Sequence, residues 1–171
     1  MNCFSCCRPK CDPCCDPCCI CDSKRSFSHI FFPPPPPTVT AIQVQLQDSS
    51  EGSVANGANV IFDTIILNTS SGISYDDTTG VFTVNTAGRY FVSWWINTDG
   101  ASQASSVVFS AESGATSISA SSLTPTTSLQ LYGQGLFDLN AFATLSLVNN
   151  SGDTVILGTS IVQADIVIQR L

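Results

Sequence analysis

The chain has little charge, and its basic residues are scarcer than its acidic ones. Only 11% of its 171 residues are charged, against roughly 25% in an average soluble protein. From Thr38 onward Arg89 and Arg170 are the only basic residues, and they stand against ten acidic ones. Nucleic acid binding depends on Lys and Arg that neutralise phosphates, so nucleic acid is excluded as a partner of this part. A polar but weakly charged chain is more typical of an extracellular β-protein or a packed assembly than of a cytosolic enzyme.

Long apolar runs are also missing. The N-terminus MNCFSCCRPK lacks the apolar stretch of about 7–15 residues that a secretory signal contains. No later segment approaches the roughly 18 consecutive apolar residues of a transmembrane helix. We therefore predict that the protein is made without an export signal and has no membrane partner.

Nucleophilic residues with a neighbouring base are absent from the C-terminal part. The only histidine is His29, and no cysteine follows Cys21. Cys-His and Ser-His arrangements are thereby excluded from residue 38 onward. The paired carboxylates Asp76 and Asp77 stand in a turn-like segment, where Asp is favoured for local backbone bonding rather than acid–base work. We predict a protein that is not an enzyme and has no cofactor.

The composition changes abruptly near residue 38, which predicts three regions. Residues 1–22 form a Cys-rich tail, residues 23–37 a flexible and polyproline connector, and residues 38–171 a folded head. All but one of the nine prolines lie at or before Pro37, and the first glycine is Gly52. The tail contains all nine cysteines, which are Cys3, Cys6, Cys7, Cys11, Cys14, Cys15, Cys18, Cys19 and Cys21.

The cysteines allow more than one chemistry. The segment CDPCCDPCC, residues 11–19, has the two-residue gap that zinc sites use, although no ordered segment separates the thiols. Neighbours such as Cys14 and Cys15 are poorly placed to bridge each other, given the geometry of a disulfide. Intermolecular disulfides are therefore the favoured interpretation, with no metal site predicted. Metal binding, lipidation and inert thiols remain alternatives.

From Thr38 onward the pattern has the period of a β-strand. Ile42, Val44 and Leu46 alternate with polar residues, as expected of a strand buried on one face. Further strands are predicted at 59–67, 80–85, 88–98, 105–112, 116–122, 127–139, 141–149, 154–157 and 161–171, separated by the turn segments NTSSG, YDDTTG, TDGAS and NNSGD. About ten strands without a helical stripe indicate an all-β antiparallel sandwich or jelly roll.

The central block FDTIILNTSSGISYDDTTGVFTVNTAGRYFVSWWINT, residues 62–98, is more specific. It resembles the jelly-roll heads of the complement q-subunit and tumour necrosis factor superfamily, whose pattern of aromatics, Asn and Gly-x-Tyr-x-aromatic is filled here by Phe62, Asn68, Tyr75, Phe82, Gly88, Tyr90 and Trp94, with Val92 in place of an aromatic. The resemblance implies a homotrimer, because such heads leave one sheet face for their neighbours. A monomeric jelly roll with Trp95 as a stray surface aromatic is the alternative.

Within that superfamily, the low charge and the Ser/Thr-rich strands resemble the heads of exosporium collagen-like proteins of Bacillus-type spores. The chain has no Gly-X-Y stalk, and a cysteine tract with a proline run stands in its place. It is more similar to a subunit of spore appendage fibres. The resemblance implies localisation on the spore surface after synthesis in the mother-cell cytoplasm, with a spore-coat or exosporium anchor protein as a partner.

An apolar anchor precedes the head. Phe31 and Phe32 follow Ile30 and are separated from the head by Pro33, Pro34, Pro35, Pro36 and Pro37. Five prolines predict a stiff polyproline II rod of roughly 15 Å. We expect this arm to enter a neighbouring trimer, so that trimers stack head to tail into a filament that disulfides lock. A plain spacer, a ligand for a proline-recognition domain, and a lectin-like or receptor-like binding head anchored by its tail are the alternatives.

Two further kinds of site have weaker signals. Asp76, Asp77, Asp99 and Asp153 are candidates for a calcium site of the kind that some such heads have, but their spacing favours no set of ligands. The segments Asn68-Thr-Ser and Asn149-Asn-Ser match the acceptor pattern for sugar. Ordinary surface polarity is the favoured interpretation of both.

Overall fold

The described part of the head consists of strands and loops. The computed structural model describes residues 39–47, 52–69, 71–124 and 128–171, and in these ranges no helix is present that could span a membrane. Within them the strands are β1 (Ala41–Gln47), β2 (Ser53–Val54), β3 (Thr64–Asn68), β4 (Ile73–Asp76), β5 (Val81–Val84), β6 (Gly88–Ala101), β7 (Ser106–Ser113), β8 (Thr116–Leu123), β9 (Leu129–Leu139), β10 (Thr144–Asn149), β11 (Val155–Leu157) and β12 (Val162–Arg170).

Two antiparallel sheets form a jelly-roll sandwich, which confirms the predicted fold class. The first sheet has seven strands in the order β2-β11-β6-β12-β1-β3, and β9 pairs with the free side of β6. The second has five strands in the order β4-β5-β10-β7-β8. The last strand, β12, lies beside β1, and Arg170 N donates to Thr40 O at 2.9 Å. Residues near the beginning and the end of the head therefore meet at one end of the sandwich, which we call the base.

The core lies between the sheets and follows the alternation of the strands. On β6 the side chains of Tyr90, Val92, Trp94 and Ile96 are buried, as the pattern predicts. The neighbouring strand β9 has Gly133 opposite Trp94, because a Cβ atom at this position would lie 2.5 Å from the indole ring. Small residues on β9 thus make room for the largest side chain of the core.

Local features differ from the sequence predictions in several places. Strands β2 and β4 were not predicted, and the segment YDDTTG begins as strand, with its turn at residues 77–80. The predicted strand at 59–67 is regular only over Thr64–Asn68. Its first half is irregular because the Tyr75 hydroxyl replaces a strand partner: it accepts from Phe62 N at 2.7 Å and donates to Phe62 O at 3.0 Å.

Of two glycines of the central motif, only Gly80 is required by its surroundings. Gly80 has a φ of 72°, and a Cβ atom there would lie 2.5 Å from Val60 O, so the tight turn predicted at this position is confirmed. Gly88 is not in the left-handed region. A Cβ atom there would lie 2.9 Å from Arg170 Nε, but that side chain is exposed and can move, so the contact does not require glycine.

Candidate self-association face

Strand β6 is apolar on both of its sides. Tyr90, Val92 and Trp94 point into the core, so Phe91 and Trp95 lie on the opposite side by the alternation of a strand. We call this side of the seven-stranded sheet, which does not contact the second sheet, the outer face. Both aromatics are partly buried there, although no second sheet covers them. An apolar strand side without a cover is the usual mark of an interface.

Neighbouring strands extend the apolar surface. Phe91 pairs with Leu136 and Trp95 pairs with Tyr132 across β6 and β9. Leu136 and Tyr132 are each 53% exposed, so about half of each side chain remains available for a partner. Val167 of β12 lies opposite Ser93 and continues the face on the other side of β6. Directly opposed aromatic and aliphatic side chains form one continuous patch rather than scattered residues.

A buried carboxylate lies beside this patch. Asp165 is opposite Trp95 on the outer face, yet its side chain is only 6% exposed. Its Oδ2 accepts hydrogen bonds from Gln43 Nε2 at 2.8 Å and from Gln45 Nε2 at 2.9 Å. A carboxyl group so far from water requires such hydrogen-bond partners. The two amides therefore satisfy the buried carboxyl group, so that it can lie on a face that is otherwise suited to contact another chain.

At the base an ion pair marks the end of the outer face. Arg89 Nε lies 2.8 Å from Asp138 Oδ1, and Arg89 Nη2 lies 3.0 Å from Asp138 Oδ2. Hydrogen bonding to the guanidinium lowers the pKa of the Asp138 carboxyl and raises that of Arg89. Both side chains are largely exposed, so the pair adds little stability. It gives the edge of the face a polar rim, as interfaces commonly have.

The aromatic residues of the sequence motif lie in the core or pack against it. Phe62, Tyr75 and Phe82 pack together, with the Tyr75 and Phe82 ring centroids 4.5 Å apart. Burial raises the pKa of the Tyr75 phenol to about 12. Tyr90 is fully buried, and its hydroxyl donates to Thr86 O at 2.6 Å. Asn68 lies on β3 opposite Ile42. The motif therefore specifies the fold.

The candidate calcium residues do not converge. Asp76 Oδ1 accepts from both Thr78 N and Thr78 Oγ1, the turn chemistry predicted for it, and these bonds lower its pKa. Asp99 Oδ1 accepts a hydrogen bond from Ser128 Oγ, and Asp153 Oδ2 accepts one from Gln103 N. Over the residues described, no three His, Cys, Asp or Glu side chains come close enough to hold a metal ion.

Asn149, one of the two possible sugar acceptors, has a structural role. Asn149 is fully buried, and its Nδ2 donates to Val54 O at 2.8 Å and to Asp153 O at 2.9 Å. The interpretation of Asn149 as a surface polar residue was wrong. Its amide nitrogen is engaged in two hydrogen bonds, so it is not available to carry a sugar, whereas Asn68 is exposed.

Comparison with known protein families identifies the family of the chain. The C1q domain family matches residues 41–139, from β1 to the end of β9. The chain belongs to the C1q domain family. Heads of the C1q and tumour necrosis factor type are typically homotrimers, and they are generally structural or ligand-binding rather than enzymatic. No curated protein matches the chain significantly.

Solved structures give the same fold at low identity. The globular domain of zebrafish complement 1qA protein has a TM-score of 0.58 at 17% identity, covering 77% of this chain and 94% of that chain. Eiger TNF from S. frugiperda has a TM-score of 0.63 at 14% identity, covering 79% and 94%. Murine APRIL has a TM-score of 0.57 at 11% identity, covering 78% and 99%. At such identities the likeness concerns the C1q fold alone.

Other predicted site residues lie outside the described part of the chain. They are the nine cysteines and the arm from Ile30 to Pro37. Of this face the sequence analysis had named Trp95, but it did not identify Tyr132, Leu136 and Asp165 as further members. The alternation in LQLYGQGLFDL indicates which side chains of β9 point outward. The position of Asp165 between two glutamines, in contrast, depends on the register of β12 with β1.

Proposed function

We propose that the chain is a structural subunit of a self-assembling fibre on the spore surface, an endospore appendage or exosporium filament. Its C1q-type heads associate into homotrimers through the outer face. The trimers stack head to tail through the N-terminal arms, and disulfides between tails cross-link them. Support for trimer formation comes from the exposed halves of Tyr132 and Leu136, which a single chain leaves without a partner.

The observation that carries the stacking proposal is the position of Thr40, next to the first strand. Thr40 accepts a hydrogen bond from Arg170 N at the base of the sandwich. In a trimer with threefold symmetry, three arms therefore leave from the same end. Each arm presents Phe31 and Phe32 beyond five prolines, and pre-set proline dihedrals reduce the entropic cost of ordering such an arm. An arm that enters the next trimer creates a contact that does not close on itself, and this contact produces a filament.

The cysteine tract and the low charge support the remaining parts of the proposal. Thiols made in a reducing cytoplasm form lasting disulfides only after release into an oxidising setting, as when the mother cell lyses. A surface with few charges suits close packing in an assembly. A spore-coat or exosporium protein is the expected anchor, bound through the tail of the first trimer.

A second candidate is a trimeric ligand-binding head, lectin-like or receptor-like, held on a surface by its tail. It is favoured by an open cleft of about 510 Å³ at the end of the sandwich opposite the base, lined in part by Asp99, Ile156 and Ile161. Such a head stops assembling at the trimer, so self-association separates the two candidates.

The test is negative-stain electron microscopy of purified full-length protein beside the Phe31→Ala/Phe32→Ala variant, each with and without reductant. The proposal predicts regular filaments from the wild type, discrete trimers from the variant, and loosened filaments in reductant. The matched control is Phe4→Ala/Phe27→Ala, which removes two phenylalanines of the same N-terminal region but leaves the pair next to the prolines. Discrete trimers in every sample contradict the fibre and favour the binding head.

A further inference from the structure

Phe142 combines two features that are unfavourable within a single chain. It lies in the loop between β9 and β10 with a φ of 65°, the left-handed region, where it is the only residue other than glycine among those described. A bulky side chain is a rare occupant of this conformation. The ring is also 75% exposed, so burial in its own head does not offset the strain. Strain of this kind at an exposed aromatic points to a contact with another molecule.

The loop presents Phe142 at the base. It follows Leu139, which lies opposite Gly88, and precedes Thr144, which lies opposite Thr83. The backbone of Phe142 is fixed because its N–H donates to Val84 O at 2.7 Å. The exposed ring therefore projects from a held backbone, at the same end of the sandwich as Thr40.

The opposite end, which we call the apex, contains the cleft of about 510 Å³. This volume is within the range of roughly 300–1,000 Å³ of small-molecule sites, although the cleft is open to solvent. Ile156 and Ile161 provide apolar walls, and Ile161 is 82% exposed. Each chain contributes one ring at the base and one cleft at the apex.

The base and the apex also differ in charge. Both arginines of the head, Arg89 and Arg170, lie at the base, and Asp138 pairs with the first. The apex has Asp99 in the cleft wall and Asp153, which holds the loop after β6 through Gln103 N at 2.7 Å. Opposite charges at the two ends favour contact between the base of one head and the apex of another over contact between like ends.

We infer that Phe142 of one trimer inserts into the apical cleft of the next trimer, so that the heads contact each other directly as well as through the arms. The inference rests on the proposed head-to-tail stacking and identifies the surfaces that meet. A threefold trimer has three such rings at its base and three clefts at its apex, so their numbers match. The contact is heterologous and repeats without closure, as a filament requires.

Three variants of the full-length protein test this contact. Phe142→Gly relieves the backbone strain and removes the ring, Phe142→Tyr retains an aromatic ring, and Ile161→Glu changes the cleft. Light scattering against concentration gives the lowest concentration at which filaments form, and a thermal melt reports on folding. We expect Phe142→Gly and Ile161→Glu to raise that concentration about tenfold or more, the effect typical of a central interface residue. Phe142→Tyr is expected to assemble nearly as the wild type does, and Phe142→Gly to melt no lower than the wild type.

The outcomes separate this inference from the fibre proposal. If Phe31→Ala/Phe32→Ala prevents assembly while Phe142→Gly assembles at the wild-type concentration, the arms join the trimers and the inference is wrong. If assembly is impaired in Phe142→Gly but not in Ile161→Glu, the cleft does not bind Phe142 and the inference is wrong as stated. A wild type that never associates beyond the trimer overturns both. The contact is supported if filament assembly is impaired in Phe142→Gly and Ile161→Glu and is retained in Phe142→Tyr.

Discussion

Replacement of Leu136 by serine measures how much the outer face contributes to the trimer. A fully buried leucine side chain contributes about 1.5–3 kcal/mol. Leu136 is 53% exposed in the single chain, so burial of the remaining half in a trimer adds about 1–1.5 kcal/mol per chain. Three chains lose about 3–4.5 kcal/mol, which lowers the association constant by about two to three decades. Because the midpoint concentration of a monomer–trimer equilibrium follows the square root of this constant, it rises about 10- to 40-fold.

The assay is sedimentation equilibrium over a concentration series. It is done in reductant and in the Phe31→Ala/Phe32→Ala background, where trimers are expected to remain discrete. Leu123→Ser is the matched control, because Leu123 is 78% exposed on β8 of the other sheet. If both leucine variants shift the midpoint equally, or neither shifts it, the outer face is not the trimer interface and the reasoning fails.

Three further predictions concern the head itself. Gly133→Ala places a Cβ atom 2.5 Å from the Trp94 ring and is expected to lower the free energy of unfolding by about 1–3 kcal/mol in urea titration; an unchanged midpoint contradicts this packing. Asn149→Ala removes two buried hydrogen bonds to backbone carbonyls, with an expected loss of about 2–4 kcal/mol, and a loss below that of an exposed Asn→Ala change refutes it. Since burial raises the pKa of Tyr75 to about 12, the neutral phenol is favoured by folding. Stability is therefore retained below pH of about 10 and declines towards pH 12; Tyr75→Phe should weaken this decline in melts against pH, and an identical profile contradicts the assignment.

Much of the fold was predictable because the alternation along single strands is a local property. The pattern around Ile42 and Val44 and the run from Tyr90 to Trp94 mark core positions without knowledge of strand partners. The first half of the predicted strand at 59–67 failed for a non-local reason. The Tyr75 hydroxyl, 13 residues further along, takes the hydrogen bonds of the Phe62 backbone, and no period in the segment reveals that.

The candidate site was predictable only in part. The apolar second side of β6 is visible in the sequence as Phe91 and Trp95. Its extension to Tyr132 depends on the register of β6 with β9, which sets distant residues opposite each other. The strained backbone of Phe142 gave no sequence signal, since an aromatic in a short connection looks like part of the next strand; residues 141–143 were in fact predicted as strand.

Cryo-electron microscopy of the wild-type filaments tests the central claim most directly, because it shows both the symmetry and the polarity of the assembly. Stacking of trimers through arms that leave the base predicts one threefold head per axial repeat, with all heads pointing in the same direction. Density that connects each base with the apex of the next head is expected along the axis. Heads that alternate in direction, or a sample that contains only discrete trimers, contradict it.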